Sequence, residues 1–400
     1  MKLTCQQHAL SRGLSVVGHA ISARSTLPIL SHIRLVAEAG QLHLSASNGE
    51  MSIHARIDAE VEIPGVTTVP ARLISEYVAS LPASPVHMTV PEGTFTCQMR
   101  CARSQATLRG MEPELFPQIP GAREGCSPII LDAVMLKEGI DQVIIAAAED
   151  KSRPAFAGVH MEVDHAGQLV FAAADSIRLA VRKIPVSEEH RQGVLIPVKA
   201  LEHLSRILPV EGAVEILMTP NAHQIIFHTE QTDLIAQLLE ATFPNFSQVI
   251  PQQYVTRAIT KTHEMVAAIK EVAPFARDAH NVVRVMINGP DCREREPNTL
   301  MLEATAADIG SNVTAISATV LGPDQEILLS VKHLASVLAV MDMPEIALEM
   351  TGPTRAAQIK PALGPTVYHY VMMPITPNQT RDIPRASAAN PTNEPAVAIR

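Results

Sequence analysis

The chain has no tryptophan, and aromatic residues make up only 3% of its 400 positions. Platforms that stack single-stranded nucleic acid need aromatic rings in number, so that class of binder is excluded and any core must be aliphatic. No apolar run approaches the ~18 residues of a membrane span, and the N-terminus lacks a signal-peptide pattern. Cys5, Cys97, Cys101, Cys126 and Cys292 are odd in number and scattered. That usage suits a reducing cytoplasm and offers no disulfide framework. Cys97 and Cys101 fall in an alternating, strand-like stretch with no second pair to complete a zinc site. Catalytic signatures are missing as well: there is no HExxH, no P-loop, no GxGxxG after a strand and no nucleophile elbow. His8, His19, His32, His43 and His54 recur 11 or 13 residues apart, too widely to meet within one short element, and read as packing and surface residues. A metal-dependent hydrolase is therefore a remote alternative, and no cofactor or metal is expected.

What the chain does have is repetition. Val69-Pro70-Ala71-Arg72, Ile196-Pro197-Val198-Lys199 and Leu329-Ser330-Val331-Lys332 each open an apolar-periodic stretch, and these copies start at 69, 196 and 329. A period of this length belongs to domains, not to a solenoid. In the first copy the apolar positions 73, 74, 77, 78 and 81 form one stripe at helical spacing, and the other two copies keep that register. Alternating strands repeat in step, as Leu42–Ser47, Leu169–Ala174 and Leu300–Thr305. A further helix opens each unit, over Leu10–Ile21, Val134–Ala148 and Met265–Phe275. The expectation is an α+β protein of three tandem helix-and-antiparallel-sheet domains, over residues 1–122, 127–253 and 254–376. The stretch 377–400, with four prolines and few apolar residues, is expected to be a disordered tail.

Net charge is −9, which argues against a surface coated with nucleic acid. The average hides a pattern, however. The first 37 residues hold Lys2, Arg12, Arg24 and Arg34 without one acid, and Val331–Met341 is also acid-free. With Arg72 and Lys199 these cations allow a basic inner surface on an acidic body, suited to phosphates and blind to bases.

At this point the residues carry a resemblance. The three units, Thr26-Leu27-Pro28-Ile29-Leu30, Ser152-Arg153-Pro154, Ala174-Asp175-Ser176-Ile177-Arg178-Leu179-Ala180, Phe243-Pro244-Asn245-Phe246 and Tyr370–Ile375 resemble the bacterial beta sliding clamp family, from Met1 to about Thr376. The resemblance implies a head-to-tail dimeric ring, helices lining the pore, that encircles duplex DNA as a non-catalytic processivity factor. It implies DNA contacts at Arg24, Arg72, Lys151, Lys199 and Lys332. It also implies a hydrophobic pocket for short linear peptides of the replicative polymerase, clamp loader and repair proteins. Carried over, that pocket comprises Arg153, Phe156, Ala174, Ser176, Ile177, Arg178, Leu179, Pro244, Val249, Val371, Met373, Pro374 and Ile375, with Ser330 and His333 at its margin. The subunit junction falls to Arg103, Ala106 and Leu108 facing Pro274 and Phe275 of a second copy.

The chain departs from the family pattern in three places. Ala174, Ser176 and Ile177 stand where Thr, Gly and His are usual, which makes the pocket more apolar. The segment 307–313 supplies one acid, Asp308, opposite a basic edge. The extension after Thr376 is also unusual. These departures keep open a specialised clamp paralogue that serves as a partner-binding scaffold away from the main replication fork.

Overall fold

The computed structural model describes residues 1–21, 27–117, 128–148, 150, 152–187, 191–219, 223–306, 308, 310–364 and 367–375. The expected tail, 377–400, lies outside them. The helices are α1 (Gln7–Gly18), α2 (Ala71–Ser80), α3 (Ala133–Ile144), α4 (Val198–Ile207), α5 (Thr262–Asp278) and α6 (Val331–Ala339). They pack in three pairs, α1 with α2, α3 with α4, and α5 with α6. Each repeat thus contributes one pair, as the sequence period predicts.

The buried faces follow the helical period with one correction. In α2 the inward side chains are Ala71, Ile74 and Val78, whereas Leu73 is 50% exposed. The expected stripe placed it inside. The helix begins two residues earlier, at Ala71, and turns Leu73 outward with Arg72. In α4 the stripe Ala200, Leu201, Leu204 and Ser205 is buried as read, and in α6 Leu334, Val337 and Leu338 are. α5 runs through Pro274 to Asp278, three residues past the expected end. Pro274 lies on an exposed face, four residues after the exposed Lys270, so the carbonyl robbed of its donor lies on a side open to water.

The chain divides into two compact units. The first holds residues 1–173 and 183–244, and the second holds residues 174–182 and those from Asn245 onward. In the first unit a five-stranded sheet runs in the order Glu60–Ile63, Lys2–Gln6, Pro85–Thr89, Thr96–Cys101, Ser104–Arg109. An eight-stranded sheet runs Ile129–Asp132, Ala213–Met218, Gln224–His228, Thr232–Gln237, Met51–Asp58, Gln41–Ser47, His32–Glu38, Gly65–Pro70. Its centre joins strands from the first and second repeats. Cys5, Cys97 and Cys101 are buried in the first unit as free thiols, and burial pushes Cys5 and Cys97 up to about 12. Such thiols are unreactive.

In the second unit residues 178–182 pair with Tyr368–Met372, followed in order by Ala357–Pro361, Glu345–Met350, Thr256–Lys261 and Thr319–Leu321. A four-stranded sheet runs Gly310–Ser317, Thr299–Ala306, Val282–Asn288, Gln325–Ser330. The turn after Thr319–Leu321 requires glycine. Gly322 has φ +108°, and a Cβ there would sit 2.2 Å from the Val255 carbonyl oxygen.

Candidate functional site

Arg72, Lys199 and Lys332 occupy the same place, the second residue of α2, α4 and α6. A cation there opposes the helix dipole, whose positive end is the N-terminus, so local helix stability does not explain the choice. Arg72 Nε bonds Glu76 Oε1 at 2.7 Å and Lys199 Nζ bonds Glu202 Oε2 at 2.8 Å, yet their side chains stay 91% and 70% exposed. Exposed pairs of this kind are worth little and exchange readily for another anion. Lys332 is exposed and has no acidic partner among the described residues. Arg206, in the last turn of α4, is a further exposed cation that the sequence reading passed over. Arg24 and Lys151 lie outside the described residues.

The expected pocket residues of the second unit gather around one turn. Asp175 Oδ1 accepts the backbone N–H groups of Ile177 at 2.8 Å and Arg178 at 2.9 Å, and its Oδ2 accepts Arg178 Nε at 2.9 Å. This side-chain-stapled turn pushes Ser176 and Ile177 into solvent, with Ile177 46% exposed. The Met373 N–H donates to the Ile177 carbonyl at 2.8 Å, which sets the 44% exposed Met373 beside the turn. Ile375 N–H bonds the Leu328 carbonyl at 2.9 Å and holds Pro374 and Ile375 extended and half-buried. Ser330 caps α6 through the His333 N–H. His333 has its pKa lowered, by burial first and then by Arg178. It is therefore a neutral imidazole at pH 7.

Next to Met373 opens a groove of about 740 Å³, lined by Val249, Tyr254, Val255, Thr351, Thr354, Arg355 and Ala356 among others. The sequence reading named only Val249 and Met373 of this set. Tyr254, 41% exposed in a chain poor in aromatics, was the available signal. Leu179 and Val371, expected as pocket wall, stand directly opposite each other in the ladder and are 3% and 1% exposed. Together with the buried Ala174 they back the surface from the core and do not line it. In the first unit, Arg153 and Pro244 are exposed, and Phe156 meets Phe243 edge-on with ring centres 6.5 Å apart. Phe243 in turn stacks on His160 at 5.4 Å.

The expected junction residues lie on sheet edges and on α5. Ser104–Arg109 ends the five-stranded sheet and Gly310–Ser317 ends the four-stranded one, so each has one side unpaired among the described residues. Arg103 is exposed and Ala106 half-buried. Leu108 corrects the expectation, because its side chain is only 2% exposed and fills the core of its own sheet. It is not free to meet a partner. Pro274 is exposed and Phe275 half-buried. Among the described residues there is no group of three or more His, Cys, Asp or Glu side chains placed to hold a metal ion, and no helix is long and apolar enough to cross a membrane.

Comparison with known proteins covers nearly the whole chain. Residues 1–120, 130–245 and 247–376 match the N-terminal, central and C-terminal domains of the DNA polymerase III beta subunit. The chain is 30% identical to the beta sliding clamp of Synechococcus elongatus, over 94% of this chain and 99% of the relative. It is 29% identical to that of Bacillus subtilis, over 93% and 99%. The crystal structure of the Bacillus subtilis DNA polymerase sliding clamp superposes with a TM-score of 0.87 at 28% identity, covering 94% of this chain and 99% of that one. The DNA polymerase III beta subunit of Pseudomonas aeruginosa gives 0.84 at 25% identity, covering 94% and 100%.

Proposed function

The chain belongs to the DNA polymerase III beta-subunit family and acts as a sliding clamp, a non-catalytic processivity factor, and from that premise we propose how this sequence does the work. Two copies join head to tail into a ring around duplex DNA. The observation that carries this reading is that, among the strands ending the sheets, Ser104–Arg109 in the first unit and Gly310–Ser317 in the second each have one side without a ladder partner among the described residues. An exposed edge strand is a liability unless something pairs with it, and two different edges on one chain suit a closed two-copy ring. Arg103 and Ala106 flank one edge, with Pro274 and Phe275 on α5 beside the other.

Arg72, Lys199 and Lys332, with Arg24 and Lys151, contact phosphates without reading sequence. Their support is the recurrence of a cation at the second position of α2, α4 and α6 against the helix dipole. Partners such as the replicative polymerase, the clamp loader and repair proteins dock short peptides on the surface formed by Ile177, Met373, Pro374, Ile375 and Val249. Ser176, Arg178, Ser330 and His333 belong to the same site, and Ala174, Leu179 and Val371 support it from beneath. A neutral His333 and an isoleucine at 177 make this surface suited to an apolar peptide tail.

The test uses substitutions that folding should tolerate. Ile177 and Met373 are close to half exposed, so Ile177→Asp and Met373→Ala leave the core intact. Each should remove an anchor worth about 2 kcal/mol of peptide binding. Polymerase stimulation on primed circular template should fall away while the dimer and its retention on circles persist. Unchanged peptide binding in both variants would place the partner site elsewhere.

A further inference from the structure

One side chain grips the seam between the first and second repeats. Met51–Asp58 pairs antiparallel with Thr232–Gln237, placing Ala55 opposite Thr232 and His54 opposite Asp233. At one end of this seam Arg56 sends Nη1 to Asp233 Oδ2 at 2.6 Å and Nη2 to Asp233 Oδ1 at 3.1 Å. Nη2 also donates to the Thr229 carbonyl at 2.9 Å, and Nε donates to the Glu230 carbonyl at 3.2 Å. The backbone N–H of Arg56 completes the set, bonding the Gln231 carbonyl at 2.8 Å. All these acceptors belong to the turn between Gln224–His228 and Thr232–Gln237 or to its first residues. His228 Nδ1 also bonds Asp233 Oδ1, the oxygen that Arg56 Nη2 reaches. The two charged side chains are only 22% and 20% exposed, unlike the solvated pair of Arg72 and Glu76.

The other ties across the seam are weaker in direction. At its far end Gln237 N–H bonds the Glu50 carbonyl at 2.9 Å and Gln237 Nε2 bonds the Gly49 carbonyl at 3.1 Å. Among the helices, His19 and His203 meet with ring centres 5.5 Å apart. A strand ladder alone leaves twist soft, since neighbouring strands tolerate rotations from about −10° to −35°. A planar guanidinium engaged through all three nitrogens fixes that rotation as no backbone ladder does. Burial works to raise the Asp233 pKa, but the hydrogen bonds from Arg56 and His228 outweigh it and hold the carboxyl below its usual range.

We propose that Arg56 is a positioning residue for ring closure: it locks the turn 229–231 and so fixes the angle at which the second domain follows the first. This rests on the sliding-clamp reading, in which each junction must turn the chain by one share of a circle. An error at the first junction is carried to the far edge of the molecule, where the copies must meet.

The experiment compares full-length wild type with Arg56→Met, Arg56→Lys, Asp233→Asn and the Arg56→Met/Asp233→Asn double variant. Three quantities are read: amide exchange at Arg56, the dimer dissociation constant by sedimentation, and the half-life on nicked circular duplex DNA. Arg56→Met should speed exchange and weaken the dimer by about tenfold or more with circular dichroism unchanged. Arg56→Lys should not rescue, because an ammonium lacks the fork. The double variant should be no worse than either single, as expected of residues in one network. Should Arg56→Met fail to fold, the nearly isosteric Asp233→Asn carries the same expectations. A wild-type dimer constant and exchange rate in Arg56→Met, or in Asp233→Asn where only that variant folds, would overturn the proposal. Were wild type itself retained equally on circles and linear fragments, the clamp reading would fall. The exchange rate and the dimer constant would still decide the latch.

Discussion

At the scale of single residues, His54 makes the sharpest pH prediction. It is half-buried, bonds Ser45 Oγ through Nδ1 at 2.8 Å, and has its pKa lowered to about 4. Burial is the main cause; Asp233 pulls the other way, while Arg56, Arg34 and His43 add to the lowering. Because the folded value lies below the unfolded value of about 6.5, protons bind the unfolded chain more readily. The stabilisation is complete above about pH 6.5 and is lost as pH falls toward 4, by about 3 kcal/mol in all. In urea unfolding between these pH values, His54→Gln should lose less stability than wild type, and equal losses would refute the assignment. Nothing near His54 in the sequence announces this. The acid that acts on it, Asp233, comes from a distant strand and lies 177 residues from Arg56. Local spacing reports which face a side chain takes, not which distant group it meets, so the histidines read as unremarkable and Arg56 went unnoticed.

At the scale of elements, periodicity is a local property, and helices and strands were accordingly legible. Gln41–Ser47, Gln168–Ala174 and Thr299–Ala306 appear within a residue of the strands read from alternation. The errors came where tertiary context decides: the two-residue shift that turned Leu73 outward, and the inward turn of Leu108 on an edge strand. Gly310–Ser317 gives the element-scale prediction. From Ser311 onward its side chains alternate between exposed and half-exposed, and Val313 is 49% exposed. Val313→Lys therefore removes nothing from the core, and surface changes of this kind usually stay within about 0.5 kcal/mol of stability. In the ring it would place a cation against the edge that carries Arg103 and Arg109. The dimer dissociation constant should rise by more than about tenfold while the thermal midpoint of the dilute monomer stays put. Phe275→Ala should weaken the dimer too. Because Phe275 is half-buried in its own chain, its effect will be divided between folding and association. A dimer indifferent to Val313→Lys would mean that this edge is not the junction.

At the scale of the whole molecule, a net charge of −9 and a few cations on helix ends must still hold a polyanion. Affinity is a poor way to do this. On the proposed reading Arg72, Lys199 and Lys332 from two copies would make six phosphate contacts, and six contacts would lose about a thousandfold in affinity between roughly 50 and 200 mM salt. A closed ring is held by topology instead, and its retention depends on the junction constant and the integrity of the DNA circle. Loaded onto nicked circular duplex, the protein should remain bound across that salt range with its half-life changed by a few-fold at most. Cutting the circle once should release it at every salt concentration, because the ring slides off the new end. The triple substitution Arg72→Ala, Lys199→Ala and Lys332→Ala separates the two contributions. It should cut loading efficiency at moderate salt yet leave the half-life on circles, once loaded, nearly unchanged. Salt-sensitive retention that ignores linearisation would mark an ordinary electrostatic binder, and the three cations, not the sheet edges, would then be what holds the DNA.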